Sequence, residues 1–121
     1  MIKIIIPIEC KTKKNSSRIV VAGKRKMLIP SEAYVKFEKQ CKPYLQPLKI
    51  DYSVNLKCEF YMATRRKVDL PNLLNSICDV LVKYQVITDD NKDIVSSTDG
   101  SRVLYDKQNA RIEIEITRFK E

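Results

Sequence analysis

The chain has 121 residues, of which 44% are hydrophobic and 31% charged, and these values favour one folded domain over a disordered chain. It contains no histidine, which excludes Ser-His and Cys-His nucleophile systems and histidine-ligated metals. The net charge is +8: residues 1–67 carry sixteen Lys and Arg against five Asp and Glu, and residues 68–121 carry seven against ten. A polyanionic partner for the first part and a bound cation for the second explain this asymmetry, although lysines that merely aid solubility are common.

The cysteines are widely spaced and include no C-x-x-C pair; they are Cys10, Cys41, Cys58 and Cys78. Zinc sites usually contain a close pair, so buried, reduced thiols of a cytoplasmic protein are the favoured interpretation. The two glycines, Gly23 and Gly100, both fall in predicted turns, which excludes a glycine-rich phosphate loop. No apolar run approaches the ~20 residues that a membrane-spanning helix requires.

The first half of the chain predicts a strand, a hairpin and a helix. The isoleucine-rich segment 3–10 predicts a strand, and Pro7 implies an edge position or a bulge because proline cannot donate a ladder hydrogen bond. A charged segment follows rather than a small-residue cleavage site, so we expect a first strand and not a signal peptide. After a basic loop, two short apolar segments flank Gly23 and predict a hairpin. Ser31 is the predicted N-cap of the first helix. The aromatic residues of this helix recur at helical spacing, which favours a place in the core over stacking on bases.

The second half contains the clearest pattern in the chain. Apolar and polar residues alternate from Ile50 to Met62 and predict a long strand with one buried face. A second helix is predicted from Leu70 or Pro71 to Tyr84, because proline fits a first helical turn and a leucine-rich stripe follows at helical spacing. A short strand at residues 94–95 and a last, alternating strand at residues 112–116 complete the prediction.

These elements predict an α+β fold. No internal repeat, low-complexity segment or linker composition divides the chain, so we expect a single domain over residues 1–121. In this two-layer domain a mixed β-sheet of about four strands, accompanied by a hairpin, packs against two helices.

Charged residues cluster around the second helix. The run Arg65-Arg66-Lys67 precedes the helix, where the macrodipole disfavours cations, so we expect it to contact phosphate. Asp69 stands at the start of the helix, and the Asp89-Asp90 pair follows its end. The simpler interpretations are a helix cap for Asp69 and an ordinary acidic turn for the pair. The adjacent cations favour a Mg²⁺ site instead, because Mg²⁺ commonly combines one or two carboxylates with phosphate oxygens.

Asp79 lies on the same helix, but its spacing excludes it from a centre built on Asp69. Ten helical residues span ~15 Å, whereas the ions of a two-metal site lie only ~3.5–4 Å apart. A salt bridge, a hydrogen bond to a loop or a contact with a partner subunit remain as roles for Asp79. Asp89 and Asp90 follow the helix end, so the chain can return one of them to Asp69.

The segment RRKVDLPNLLNSICDVLVKYQVITDDNKDIV, residues 65–95, resembles the signature of the RusA family of Holliday junction resolvases. In that family a basic pair precedes D-x-D-N, a helix with a later D-x-L follows, and an Asp-Asp pair closes the segment. The segments KKN-S-S-RI and PSEAYVKFE and the hairpin also resemble the family's N-terminal half, so the resemblance spans nearly the whole chain.

The resemblance implies a homodimeric endodeoxyribonuclease that resolves four-way DNA junctions by paired symmetric nicks in a bacterial, phage or prophage context. It implies Mg²⁺ as the cofactor, with Mn²⁺ able to substitute. By position, Asp69 and Asp90 would be the metal ligands, and Asp89 would be a third catalytic residue that supports them. Asn72 would order the turn as the motif asparagine, and Asp79 would be a supporting residue.

Two departures from the family pattern keep a second function open. Pro71 stands where the motif has its second aspartate, and Asn75 stands where it has a lysine. The loss of one anionic ligand and one cation predicts weaker metal affinity, and it favours a non-catalytic or weakly active DNA-binding member of the same fold as the alternative. The run at 65–67, or one of Arg102 and Lys107, could supply the missing cation.

Contacts with duplex arms are expected from basic residues in three segments. These residues are Lys11, Lys13 and Lys14, then Lys24, Arg25 and Lys26, then Arg65, Arg66 and Lys67. A ribosome- or RNA-associated module also fits the size and charge, but it gives no reason for the acidic cluster.

Overall fold

The computed structural model describes residues 1–13, 17–23 and 25–120, with only the backbone described at 17–22 and 25–30. These parts form two α-helices, α1 (Glu32–Cys41) and α2 (Leu70–Lys83), and a 3₁₀ turn at Lys42–Tyr44. Their strands are β1 (Ile2–Ile6), β2 (Ser17–Ala22), β3 (Arg25–Pro30), β4 (Val54–Met62), β5 (Val95–Ser97), β6 (Arg102–Tyr105) and β7 (Arg111–Arg118).

Five of these strands form one mixed sheet. The order is β1-β7-β4-β5, and β6 pairs with a different stretch of β4. The β1–β7 and β7–β4 pairs are antiparallel, whereas β5 and β6 both run parallel to β4. The predicted hairpin is present as β2–β3. The α+β prediction is confirmed. The sheet has five strands rather than the expected four or so, and the additional strand is β6.

The central strand β4 explains how the sheet and helices meet. Its residues alternate strictly between buried and half-buried, as the sequence predicted. The buried set includes Leu56 and Phe60, and it joins Ile112 and Ile114 of β7 in one core cluster with the apolar side of α2. Since successive strand residues face opposite sides, the other side of the sheet carries the charged residues. The sheet therefore holds β4, and the loop that follows it, against α2.

Several local predictions are confirmed and others need correction. Ser31 caps α1, because its hydroxyl accepts a hydrogen bond from the Tyr34 amide at 3.3 Å. The 3₁₀ residue Tyr44 is 45% exposed and is therefore not a core residue. β1 ends at Ile6, so Pro7 follows the strand instead of lying inside it. Ser76 is a polar residue of α2, yet it is buried.

The four cysteines are buried and free, as predicted. Burial raises the pKa of Cys10, Cys41 and Cys78 to about 12. Within the described residues, neither helix is long and apolar enough to cross a membrane.

Candidate active site

Asp69 occupies the N-cap position of α2, but its side chain does not cap the helix. A capping side chain accepts a hydrogen bond from the second or third helical N–H. The second helical residue is Pro71, which has no N–H, and the third amide, that of Asn72, donates to the Asp69 backbone carbonyl at 3.1 Å. The exposed carboxylate instead accepts one hydrogen bond, from the Asn72 side-chain amide at 3.3 Å. Asp69 therefore occupies the predicted cap position, but its side chain does not make the capping hydrogen bond.

A cavity of about 150 Å³ opens beside Asp69 and Asn72. Arg66 and Lys67 line it from the loop after β4, and residues 10–12 line it from the chain after β1. Its lining thus combines one carboxylate with three cations, because Lys11 belongs to it as well. Carboxylate oxygens are ligands that a hard cation prefers, and nearby cations attract phosphate.

Glu9 is hydrogen-bonded to the loop that contains Arg66 and Lys67. Its carboxylate accepts a hydrogen bond from the Ala63 amide at 2.7 Å, and the Lys11 ammonium lies 3.2 Å away. Burial opposes ionisation of Glu9, but the Ala63 amide, Lys11 and Arg66 outweigh it and hold its pKa below the ordinary value. An ionised Glu9 therefore links the β1 end of the chain to the Asp69 loop. The sequence contains no local sign of this contact, because Glu9 and Ala63 are 54 residues apart.

The segment after Cys10 continues along α2. The Ser76 hydroxyl donates to the Lys11 carbonyl, and the Lys13 ammonium lies 3.1 Å from Asp79 and 5.3 Å from the centre of the Tyr34 ring. A second cavity, of about 220 Å³, is lined by Lys13, Asn72, Asn75, Ser76 and Asp79. Asp79 therefore has the salt bridge that was one of its three expected roles. The cation beside Asn75 is Lys13, whereas Arg102 lies 3.7 Å from Glu59.

Asp89 and Asp90 form a turn after α2. The carboxylate of Asp89 accepts hydrogen bonds from the Asp90 amide at 2.7 Å and from the Asn91 side chain at 3.2 Å. Partial burial, contact with the Asp89 carboxylate and repulsion from Asp79 raise the pKa of Asp90. The turn thus has the local bonds of an ordinary acidic turn.

Cavity size alone would place the site elsewhere. A larger cavity, of about 440 Å³, lies along α1 and is lined by Glu32, Val35, Lys36, Lys39 and Gln40. It contains one carboxylate and none of the residues around Asp69. The chemistry of the lining therefore favours the smaller cavity.

A comparison with known protein families shows which family the chain belongs to. Residues 7–117 match the family model described as Endodeoxyribonuclease RusA. The chain belongs to the RusA family. No curated protein sequence matches it. RusA membership implies endonuclease activity of the kind that resolves Holliday junctions, and it confirms the family predicted from the segment 65–95.

The RusA motif positions are spread along α2 and the turn that follows it. Asp69 and Asn72 line the first cavity, Asn72, Asn75 and Asp79 line the second, and Asp90 lies electrostatically close to Asp79. In the described ranges, no group of three or more Cys, Asp or Glu side chains is arranged to hold a metal ion. The residues present fit a divalent ion only if one or two carboxylates bind it and substrate oxygens supply further ligands. Mg²⁺ often binds beside phosphate in this way.

The predicted DNA contacts divide into three groups. Arg66 and Lys67 line the Asp69 cavity, whereas the Arg65 guanidinium lies 4.0 Å from the centre of the Tyr105 ring. Lys13 contacts α2 through its salt bridge with Asp79. For Arg25 and Lys26, in β3, the structure describes only the backbone, and Lys14 and Lys24 lie outside the described residues. Glu9 and Tyr105 are the site residues that the sequence did not predict, whereas Lys11, an expected DNA contact, lines the Asp69 cavity.

Proposed function

We propose that the protein is a Mg²⁺-dependent endodeoxyribonuclease that resolves four-way DNA junctions by paired symmetric nicks. The observation that carries the proposal concerns the Asp69 carboxylate. It makes no capping hydrogen bond to α2, and it lies in one cavity with Arg66 and Lys67. Family membership supports the nuclease class. A solvent-exposed carboxylate can bind a divalent ion, and the cations beside it can hold a phosphodiester against that ion.

Asp69 and Asp90 are the proposed metal ligands, with Mn²⁺ able to replace Mg²⁺. A divalent ion held by these carboxylates would supply an activated water and would stabilise negative charge on the phosphate. Asn72 orients the Asp69 carboxylate through its 3.3 Å hydrogen bond. Asp89, the third proposed catalytic residue, supports Asp90 by holding the turn with both of its oxygens.

The cations of this chain bind the substrate in this proposal. Arg66, Lys67 and Lys11 face the Asp69 cavity and hold the phosphate at the cut. Lys13, fixed on α2 by Asp79, contacts the backbone further along the strand. The proposed homodimer places two such sites on a substrate whose two cuts are related by two-fold symmetry.

A non-catalytic junction-binding protein is the second candidate, and Pro71 and Asn75 favour it. A cruciform in a supercoiled plasmid separates the two functions. Paired nicks by a nuclease linearise the plasmid in Mg²⁺ or Mn²⁺, whereas independent nicks give the open circle. A binding protein retards a synthetic four-way junction on a gel and leaves the plasmid supercoiled. The proposal predicts linear product that depends on the metal ion, and retardation without cleavage would support the second candidate.

A further inference from the structure

Arg65 differs from its two neighbours in the basic run. Arg66 and Lys67 line the Asp69 cavity, whereas the Arg65 guanidinium is stacked on the ring of Tyr105, the last residue of β6. Tyr105 is 41% exposed, which is unusual for an aromatic residue that serves only to fill a core. The pair therefore lies on the surface, beside the loop that leads into α2.

The strand register places this pair next to the candidate site. Tyr105 is the partner of Met62 in the β4–β6 ladder, and Met62 lines the Asp69 cavity. Residues directly opposite each other in paired strands face the same side of the sheet. The Asp106 amide also donates to the Met62 carbonyl at 2.9 Å, which holds the end of β6 against the end of β4. Tyr105 thus lies on the cavity side of the sheet, one strand further out.

The charge of Arg65 remains available to a ligand. Arg111 is also stacked on a tyrosine, at 3.7 Å from the Tyr61 ring centre, but two carboxylates, those of Asp106 and Glu113, pair with it at 2.9 and 2.7 Å. Among the described side chains, no carboxylate lies within 4.0 Å of the Arg65 guanidinium. The stack on Tyr105 therefore orients a cation without neutralising it.

We propose that Tyr105 is a positioning residue, which holds Arg65 ready to bind a backbone phosphate of the DNA strand beside the cut. This inference rests on the proposed function. A guanidinium is planar and binds phosphate through two parallel hydrogen bonds, so its orientation determines how well it binds. Stacking on the tyrosine ring fixes the guanidinium plane before DNA arrives, which reduces the ordering cost of binding.

The test measures binding of a four-way junction in Mg²⁺-free buffer over a series of salt concentrations. The slope of log K against log salt is negative, and Arg65→Ala is expected to reduce its magnitude by about 0.9, the value for one lost phosphate contact. Tyr105→Ala is expected to weaken binding about two- to fivefold, as for loss of an exposed cation–π contact, and Tyr105→Phe is expected to bind like the wild type. The double variant Arg65→Ala/Tyr105→Ala should bind like Arg65→Ala alone, because Tyr105 acts through Arg65.

Tyr52→Ala is the matched control. Arg118 is stacked on Tyr52 at the same 4.0 Å, but Arg118 pairs with Val54, at the opposite end of β4 from Met62. Met62 is eight positions along β4 from Val54, which corresponds to ~26 Å. Tyr52→Ala should therefore leave junction binding unchanged.

Three results would overturn the inference. They are wild-type binding by Tyr105→Ala, equal weakening by Tyr105→Phe, and a further loss when Tyr105→Ala is added to Arg65→Ala, which would mean that Tyr105 contacts DNA itself. If Tyr105→Ala fails to fold, as judged by circular dichroism, Tyr105→Phe in both Arg65 backgrounds and the Arg65→Ala slope decide the question. The assay contains no divalent ion, so it tests this contact independently of cleavage. Wild-type protein that does not bind the junction would refute both this inference and the proposed function.

Discussion

Replacing Glu9 by Gln tests how the loop before Asp69 is held. The Glu9 carboxylate accepts the Ala63 amide at 2.7 Å and pairs with Lys11 at 3.2 Å. A hydrogen bond to a charged group contributes ~1.5–3 kcal/mol and a neutral one ~0.5–1.5 kcal/mol. Gln retains an oxygen that can accept the Ala63 amide, so the change removes the charge and little of the shape. The Lys11 pair adds at most ~1 kcal/mol, because the lysine side chain is 41% exposed. We therefore expect Glu9→Gln to lower the free energy of unfolding by about 1–2 kcal/mol at neutral pH.

The pH dependence of that loss is a second requirement of the same reasoning. The pKa of Glu9 is lowered in the fold, so its contribution is present above the ordinary value of 4.5 and disappears as the pH falls through the lowered pKa. Chemical denaturation of wild type, Glu9→Gln and the exposed-site control Asp51→Asn should be compared at pH 7 and in the acidic range. Asp51→Asn should stay within ~0.5 kcal/mol of the wild type. Equal stability of Glu9→Gln and wild type at pH 7, or a difference that persists in acid, would refute the reasoning.

Three further outcomes follow from the buried residues and the proposed metal ligands. The four buried thiols should not react with Ellman's reagent at pH 8 in the native protein and should all react in denaturant, because burial raises their pKa values; one thiol that reacts under native conditions would contradict this. Ser76→Ala should lower the free energy of unfolding by about 1 kcal/mol, since it removes a buried hydroxyl that donates to Lys11; an unchanged denaturation midpoint would count against that contact. Mg²⁺ should raise the melting temperature of the wild type and of Asp51→Asn more than that of Asp69→Asn or Asp90→Asn, by mass action; equal shifts in all four would reject the proposed ligands.

Local patterns in the sequence account for most of the fold. The alternation that ends at Met62 required one buried strand face, and β4 has it, although the strand begins at Val54 rather than Ile50. Helix α2 begins and ends within a residue of its predicted bounds, because Pro71 and the leucine stripe leave little choice. β6 was missed because three of its four residues are exposed, so its hydropathy does not alternate.

The sequence predicted those parts of the site whose contacts join residues close together in the chain. Asp69 and Asn72 are three residues apart, so helix geometry alone puts their side chains together. Glu9 with Ala63, and Tyr105 with Arg65, meet only after strands distant in sequence have paired. Hydropathy and spacing contain no information about such pairs. The sequence predicted that Pro71 fits the first turn of α2 and removes an acid from the family motif, but its missing N–H also removes one of the two amides that the Asp69 side chain could cap.

Cleavage of a four-way junction by Asp69→Asn tests the central claim most directly. The substitution keeps the size of the side chain and one oxygen that can accept the Asn72 amide, while it removes the charge that the proposed ion requires. With Asp51→Asn as the matched control, the account predicts that both variants bind the junction like wild type in Mg²⁺-free buffer. When Mg²⁺ is added, Asp51→Asn should produce paired nicks and Asp69→Asn should produce none. Paired nicking by Asp69→Asn at the wild-type rate would contradict the assignment of Asp69 as the centre of the active site.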